Sequence, residues 1–420
     1  MNTYKHSVKL DSAKCRGCTT CLHHCPTEAI RIRDGKASIN EDRCIDCGEC
    51  IRVCPNKAKR SIGGRLDEMK NYKWKIALPA PTLYGQFENL SDVDYVLDGL
   101  IKLGFDDVFE VSAAAELVSA YTRIYLKDPT VKKPAISSAC PAVLRLIALR
   151  FPSLIENVIH MLPPMEVAAR LARDKAKREH PELNDSEIGV FFISPCPAKV
   201  SYVNNGFAGY KSLVDVVVPI SDIYFQLINT MSPNASTPQL SSSGMIGIGW
   251  AVTGGESTAI FNENYLAADG IDNVIHVLDQ IENGSMPQLE FIELNACTSG
   301  CVGGVNTIQN PFIAKARLQG LRRYLPVSLN FLSEEEKQSV PEKYLFSELP
   351  TYTPVTEFHP SLLQSMRMMA EAQRLSKELP GIDCGACGAP NCRAFAEDAV
   401  RNGFSTAVCP IKDLLDGKNK

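Results

Sequence analysis

The stretch IGVFFISPCPAK (188–199) decides how this 420-residue chain is read. An apolar run suited to a buried strand stops at Pro195, Cys196 and Pro197, and a helical stretch follows. Working outward, KIALPAP (75–81), DDVFEVSAAA (106–115), PAISSACPA (134–142) and LEFIELNACTSG (289–300) share this form: an apolar run that ends in small residues. Amphipathic segments lie between them, among them SDVDYVLDGLIKLG (91–104) and PMEVAARLARDKAKRE (164–179). Strand–helix alternation of this kind predicts an α/β domain with largely parallel sheets over residues 74–345. In open α/β sheets the carboxyl ends of the strands form the binding crevice, and Cys140, Cys196, Cys297 and Cys301 all fall at such ends. Four thiolates brought to one crevice from distant loops can hold a metal cube enclosed at a junction. That arrangement suits catalysis more than electron relay.

The other twelve of the sixteen cysteines form compact groups. Cys15, Cys18, Cys21 and Cys25 are followed by Pro26, and the same spacing recurs 29 residues later as Cys44, Cys47, Cys50, Cys54 and Pro55. Between the runs, AIRIRDGKASIN (29–40) alternates apolar and polar residues around an Asp-Gly turn, which predicts a hairpin. Residues 1–65 thus read as a small α+β module. Zinc also accepts four thiolates, but this doubled run resembles two-cluster bacterial ferredoxins over its whole length. The resemblance gives one 4Fe–4S cluster to Cys15, Cys18, Cys21 and Cys54 and the other to Cys44, Cys47, Cys50 and Cys25. The C-terminal group Cys384, Cys387, Cys392 and Cys409 is open to zinc or iron–sulfur by spacing alone. Its surroundings, CGACGAPNCRAFAEDAV (384–400), resemble a small 4Fe–4S domain appended to several redox proteins. Residues 346–380 read as a linker and a helix (SLLQSMRMMAEAQRLSKEL, 361–379) whose methionines are expected to pack. The cluster domain follows over 381–420.

The composition, 45% hydrophobic and 22% charged, is that of a globular chain, and no apolar run reaches the roughly 18 residues of a membrane span. A net charge of −4 points to no nucleic-acid or membrane partner. The first 60 residues carry 12 Lys/Arg against 7 Asp/Glu, as expected around anionic thiolate clusters. The start, MNTYKHSVKLDSAK, lacks the apolar core of a secretory signal, so the expected compartment is the cytoplasm, where sixteen thiols read as metal ligands. TGGES (253–257) lacks the Lys-Ser/Thr end of a phosphate-binding loop, which argues against nucleotide use.

SSACPA (137–142), SPCPAK (194–199) and NACTSGCVGG (295–304) resemble the three signature motifs of the iron–iron hydrogenase catalytic domain. The resemblance implies a two-lobed parallel-sheet domain whose four cysteines hold a 4Fe–4S cubane. Cys301 would bridge to a diiron subsite carrying CO, cyanide and an azadithiolate, so that cofactor-binding falls to Cys140, Cys196, Cys297 and Cys301. With the two ferredoxin-type clusters and the C-terminal one, this makes four 4Fe–4S clusters. The implied partners are H2 and protons, a ferredoxin-like redox protein, a signalling partner and the hydrogenase maturation proteins.

Lys199 matches the motif lysine that hydrogen-bonds cyanide. Three positions depart from the motifs: Ala139 replaces a proton-relaying Cys, and Ser194 and Asn295 each replace a Met. A fourth, Tyr202, stands where the second motif has Glu. Glu256 and Glu293 are the candidate proton carriers. These departures resemble the sensory branch of the family that lacks a PAS domain, which implies a slow hydrogenase. The alternative is a non-catalytic hydrogenase-like iron–sulfur protein acting in cluster assembly or electron transfer.

Overall fold

The computed structural model describes residues 4–231, 237–354, 358–401 and 409–415. The chain divides into two compact units, one joining Met1–Arg60 to Thr353–Lys420 and the other spanning Ser61–Tyr352.

In the first unit, β1 (Val8–Leu10), β2 (Ile30–Arg33), β3 (Lys36–Ile39) and β4 (Lys59–Ser61) form two small sheets, β1 with β4 and β2 with β3. β2 and β3 are the hairpin expected from the sequence, antiparallel with Ile30 opposite Ile39. Asp34 and Gly35 both take positive φ, as a two-residue turn matching strand twist requires. The helix Leu362–Glu378 departs from expectation. It packs on the helix Cys392–Arg401 with only Ala372 buried, so Met366 and Met369 are left 60% and 44% exposed. Among the described residues Leu375 packs against the Leu379, Phe395 and Ala396 cluster, while Met366 and Met369 face away from it.

The C-terminal cysteine segment is fastened to the hairpin module by charge. Arg31 and Arg33 reach Asp398 at 2.6 and 3.0 Å, Arg393 reaches Glu28 at 2.9 Å, and the buried Arg43 reaches Glu397 at 3.3 Å. The Ile32 amide donates to the Gly388 carbonyl at 2.8 Å. Gly388 has φ +77°, and a Cβ there would lie 2.0 Å from the Ile32 carbonyl oxygen, so the close approach requires glycine.

The second unit holds two parallel sheets. β5 (Trp74–Pro79), β6 (Asp107–Val108), β8 (Ile188–Ser194) and β9 (Val216–Pro219) run in the order β6-β5-β8-β9. β7 (Ala135–Ile136), β10 (Tyr265–Asp269) and β11 (Phe291–Asn295) run in the order β10-β11-β7. Every pairing within them is parallel. Alternation along β8 explains its unbroken apolar run: Ile188, Val190 and Phe192 enter one core with Met165 and Val167, while Phe191 and Ile193 enter another with Leu97 and Leu100. A parallel sheet buried on both faces needs apolar residues at consecutive positions.

The Arg43–Glu397 pair yields a stability test. Glu397→Ala leaves a buried guanidinium without that contact and should destabilise the first unit by about 3 kcal/mol. Chemical unfolding should show the loss, with earlier proteolysis in 358–401. Unchanged unfolding would mean that the pair does not fasten the segment.

Candidate functional site

Each of the three motif turns in the second unit is shaped by local chain chemistry. Cys140 and Cys196 are the N-caps of the helices Pro141–Arg150 and Pro197–Asn205, each with Pro at the first helical position. Helix N-termini carry partial positive charge and favour a thiolate. Cys297 and Cys301 follow β11, on a turn in which Ser299 and Gly300 both have positive φ. A Cβ on Gly304 would lie 2.2 Å from the Pro195 carbonyl oxygen, so the third motif closes onto the second only because that residue is glycine.

The turns converge on Lys199. Burial works to lower its ammonium, but the charges of Cys301, Cys196, Cys140 and Cys297 overcome that and raise it. Its Nζ donates to the Ala139 carbonyl at 3.3 Å. Burial pushes the Cys196 thiol up to about 12, with Lys199 pulling against it and Cys140 and Cys301 adding to the rise. Thiols so placed ionise when a metal takes the proton's position.

Beside these thiols lies a cavity of about 70 Å³. Ala139, Cys140, Lys199, Glu256, Glu293, Asn295 and Cys301 are on its wall, with Phe192, Met165, Trp250 and several prolines making the rest mainly apolar. Cys196 and Cys297 are not on that wall, nor is Ser194. The Ser194 hydroxyl accepts from the Cys196 amide at 3.2 Å, so it shapes the ligand turn instead of facing the cavity. Asn295 does face it and donates to Glu293 at 2.8 Å. Tyr202 also lies off the wall, buried and stacked on Phe207 at 5.7 Å.

Two residues at this site escaped sequence reasoning. Ser137 donates to Glu256 Oε2 at 2.6 Å and accepts from the Ala139 amide at 3.1 Å, linking the missing-relay position to a buried carboxyl. Its place two residues before Ala139 was the available signal. Thr82 is on the wall with its hydroxyl buried and unpartnered among the described residues. An orphaned donor, an inward ammonium and four thiols fit an anionic metal group with small polar ligands.

The two carboxyls differ in their support. Glu293 accepts from the Gly254 and Ser257 amides at 3.0 and 2.9 Å and from Asn295, whereas Glu256 accepts from the Ser137 hydroxyl. Burial raises both, and the Glu293 charge raises Glu256 further, so Glu256 is the one that keeps its proton.

In the first unit, the electrostatic neighbours of Cys21 include Cys18 and Cys54, and the Asn56 amide lies 4.0 Å from Cys18 Sγ. Those of Cys47 are Cys25, Cys50 and Cys44. The fourth cysteine of each run therefore sits with the other run's triple. Cys384, Cys387, Cys392 and Cys409 line a single small cavity.

The profile of the family described as iron only hydrogenase large subunit, C-terminal domain, matches residues 73–263 and 251–305, more than half of the chain. A 4Fe-4S dicluster domain profile matches 7–55, and an Fe-S cluster profile matches 379–411. The periplasmic Fe hydrogenase large subunit of Nitratidesulfovibrio vulgaris is 25% identical over 366 residues, 71% of this chain and 86% of that one. Among solved structures, a variant of the iron–iron hydrogenase of Chlamydomonas reinhardtii matches with TM-score 0.51 at 14% identity, covering 70% of this chain and 97% of that one. An iron–iron hydrogenase structure concerned with oxygen inactivation matches with TM-score 0.50 at 15% identity, covering the same shares. At such identities the structural likeness speaks for the fold. No described helix is long and apolar enough to cross a membrane.

Glu256 sets a pH test. In the unfolded chain it ionises near pH 4.5, and in the folded chain well above that. Between those values the unfolded state binds fewer protons, so the folded state loses stability as pH rises; below pH 4.5 the contribution is fully present. Glu256→Gln removes that loss. Its stability should gain on the native chain by up to roughly 1.4 kcal/mol per pH unit from pH 5 upward, read by denaturant unfolding. A constant difference across pH would place the raised carboxyl elsewhere.

Proposed function

Because the chain belongs to the iron-only hydrogenase large-subunit family, we propose that it is a slow hydrogenase of sensory type. It would interconvert H2 with protons and electrons at the Cys140, Cys196, Cys297 and Cys301 site. The observation that carries this reading is the mainly apolar cavity at Cys140 and Cys301, with Lys199 pointing in and Ala139 where a relay would stand. The four thiols would hold a 4Fe–4S cubane, with Cys301 shared by a diiron subsite carrying CO, cyanide and an azadithiolate. That group, when bound, supplies the chemistry of making and splitting hydrogen.

The chain's own residues do the rest. Lys199 offsets the thiolate charge and would donate to a cyanide of the bound group, and the Thr82 hydroxyl, on the same cavity wall, has no partner among the described residues and could donate as well. Phe192, Met165 and Trp250 keep the wall dry, which strengthens each such contact. Ala139 carries no proton, so the surviving route starts at the Ser137 hydroxyl and Glu256, with Glu293 behind them. Loss of a positioned relay typically costs 10²–10⁴-fold, which is why slow turnover and a sensing role are inferred. Asn295, held to Glu293, adds a polar group to the wall where a Met is usual.

Electrons would enter through the ferredoxin-type clusters from a ferredoxin-like protein, and the C-terminal cluster would report redox state to a signalling partner. Maturation proteins would deliver the diiron subsite. The cytoplasm is proposed on the need to keep sixteen thiols reduced, although the Nitratidesulfovibrio relative is periplasmic.

Infrared spectra of protein matured with the diiron subsite should show CO and cyanide bands that shift under H2. A maturable protein without such bands and without hydrogen–deuterium exchange would favour the assembly or electron-transfer reading. Ala139→Cys should raise turnover at least tenfold, while Glu256→Gln and Glu293→Gln should each lower it about as much. Rates indifferent to all three substitutions would exclude this route.

A further inference from the structure

The 29-residue repeat gives each residue of one ferredoxin-type half a counterpart in the other, and the cysteines and the residues that shape their turns agree. Pro26 matches Pro55 and Ala29 matches Ala58. The Ala29 amide donates to Cys25 Sγ at 3.2 Å, as the Ala58 amide does to Cys54 Sγ at 3.3 Å. Two buried charges have uncharged counterparts. Ile30, 2% exposed in the module core, corresponds to Lys59, which is 4% exposed. Gly17, between Cys15 and Cys18, corresponds to Asp46, which is 1% exposed.

The Lys59 ammonium is enclosed, and the group it faces among the described residues is the Cys21 thiol, with no carboxylate or carbonyl in hydrogen-bond reach. Its charge acts on Cys21 and Cys50, opposing the effect of burial on both thiols. Leaving a buried ammonium unpaired costs several kcal/mol, so the position makes sense only beside an anion. Cubes ligated by four thiolates are such anions. By the grouping above, Cys21 belongs to one cube and Cys50 to the other, so Lys59 stands between them.

Asp46 is placed differently. Its carboxylate accepts from the Ser7 amide at 3.0 Å and from the Tyr4 hydroxyl at 2.6 Å, and Cys44 Sγ lies 3.9 Å away. Its charge opposes ionisation of Cys44 and Cys50, both in the second group. His6 shares this corner, its donor atom within 4.8 Å of those of Cys44 and Asp46. The first group has Gly17 at the corresponding point and gains no carboxylate there.

We propose that Lys59 is a potential-setting residue that stabilises the reduced form of both cubes, and that Asp46 opposes it only at the Cys44, Cys47, Cys50 and Cys25 cube. The Cys15, Cys18, Cys21 and Cys54 cube is then the more easily reduced of the two and holds the electron. Each reduction adds one electron from a one-electron donor, with no bond formed or broken. The inference rests on the reading that both groups hold 4Fe–4S clusters.

The test is a redox titration of the full-length, cluster-loaded chain followed by electron paramagnetic resonance, with iron and sulfide content measured on every sample. Native protein should show two ferredoxin-type centres that titrate separately. Lys59→Ile, which installs the counterpart residue, should disfavour reduction of both at least tenfold, or 59 mV for a one-electron couple. Lys59→Arg should stay close to native, and Asp46→Asn should favour reduction of one centre only. If Ile at 59 loses iron, Lys59→Gln, which removes the charge but keeps a polar side chain, decides the same question. Reduction equilibria within twofold of native in the charge-free variants, or an Arg variant that behaves like Ile, would overturn the role of Lys59. Native protein lacking iron and sulfide in this module would instead overturn the two-cluster reading.

Discussion

Burying thiolates is the constraint on which the rest of this structure depends. Burial, with neighbouring thiolates adding to it, pushes Cys196 and Cys50 up to about 12 and Cys44 and Cys47 well above their ordinary range. Such groups become ligands only where a metal and nearby positive charge compensate the anion. The chain answers this differently in its two units. In the second, helix N-termini at Cys140 and Cys196 and the single ammonium of Lys199 face the four thiols. In the first, an N–H···S bond recurs in both halves of the repeat, and Lys59 is enclosed between the two groups.

The parallel sheets follow from the same need. Ligands from four points of the chain meet only if several strand ends are aligned on one side, and a parallel sheet aligns them by construction. β7, β8 and β11 each deliver a motif turn at the carboxyl end. Gly304 and Gly300 then let the third motif press against the second motif and the 251–253 segment. Steric tightness here serves electrostatics, because the anion can be shared among four thiols only if the turns touch.

Legibility in the sequence tracked how local each signal was. The hairpin 29–40 and the cysteine runs could be read because turn chemistry and ligand spacing are short-range. β8 could be read because burial on both faces leaves an unbroken apolar run. β9 is four residues long, and β10, YLAAD, is half-buried and rich in alanine, so neither carries a clear strand pattern. Ser137, Thr82 and Lys59 were missed because each matters through a partner, or the lack of one, that only tertiary structure reveals. Ser194 was legible as a departure, but its direction was not: the hydroxyl turns to the Cys196 amide. The pairing of the first 60 residues with the C-terminal segment depends on Arg31, Arg43, Glu397 and Asp398, whose charges look like ordinary surface residues in one dimension.

That pairing bears on what kind of hydrogenase this architecture suits. Under the proposed reading, one compact unit carries three cluster sites and the other carries the hydrogen site with its relay weakened at Ala139. An enzyme built for throughput gains little from extra electron-storing centres when proton delivery is slow, because the slower delivery sets the rate. A sensor gains from both. Slow exchange with H2 lets the clusters approach equilibrium with the gas, and a unit with several one-electron sites turns that equilibrium into a graded charge. Opposite charges at Lys59 and Asp46 would spread those sites over a range of potentials, and the unit would then respond across a wider span of hydrogen pressure than identical clusters allow.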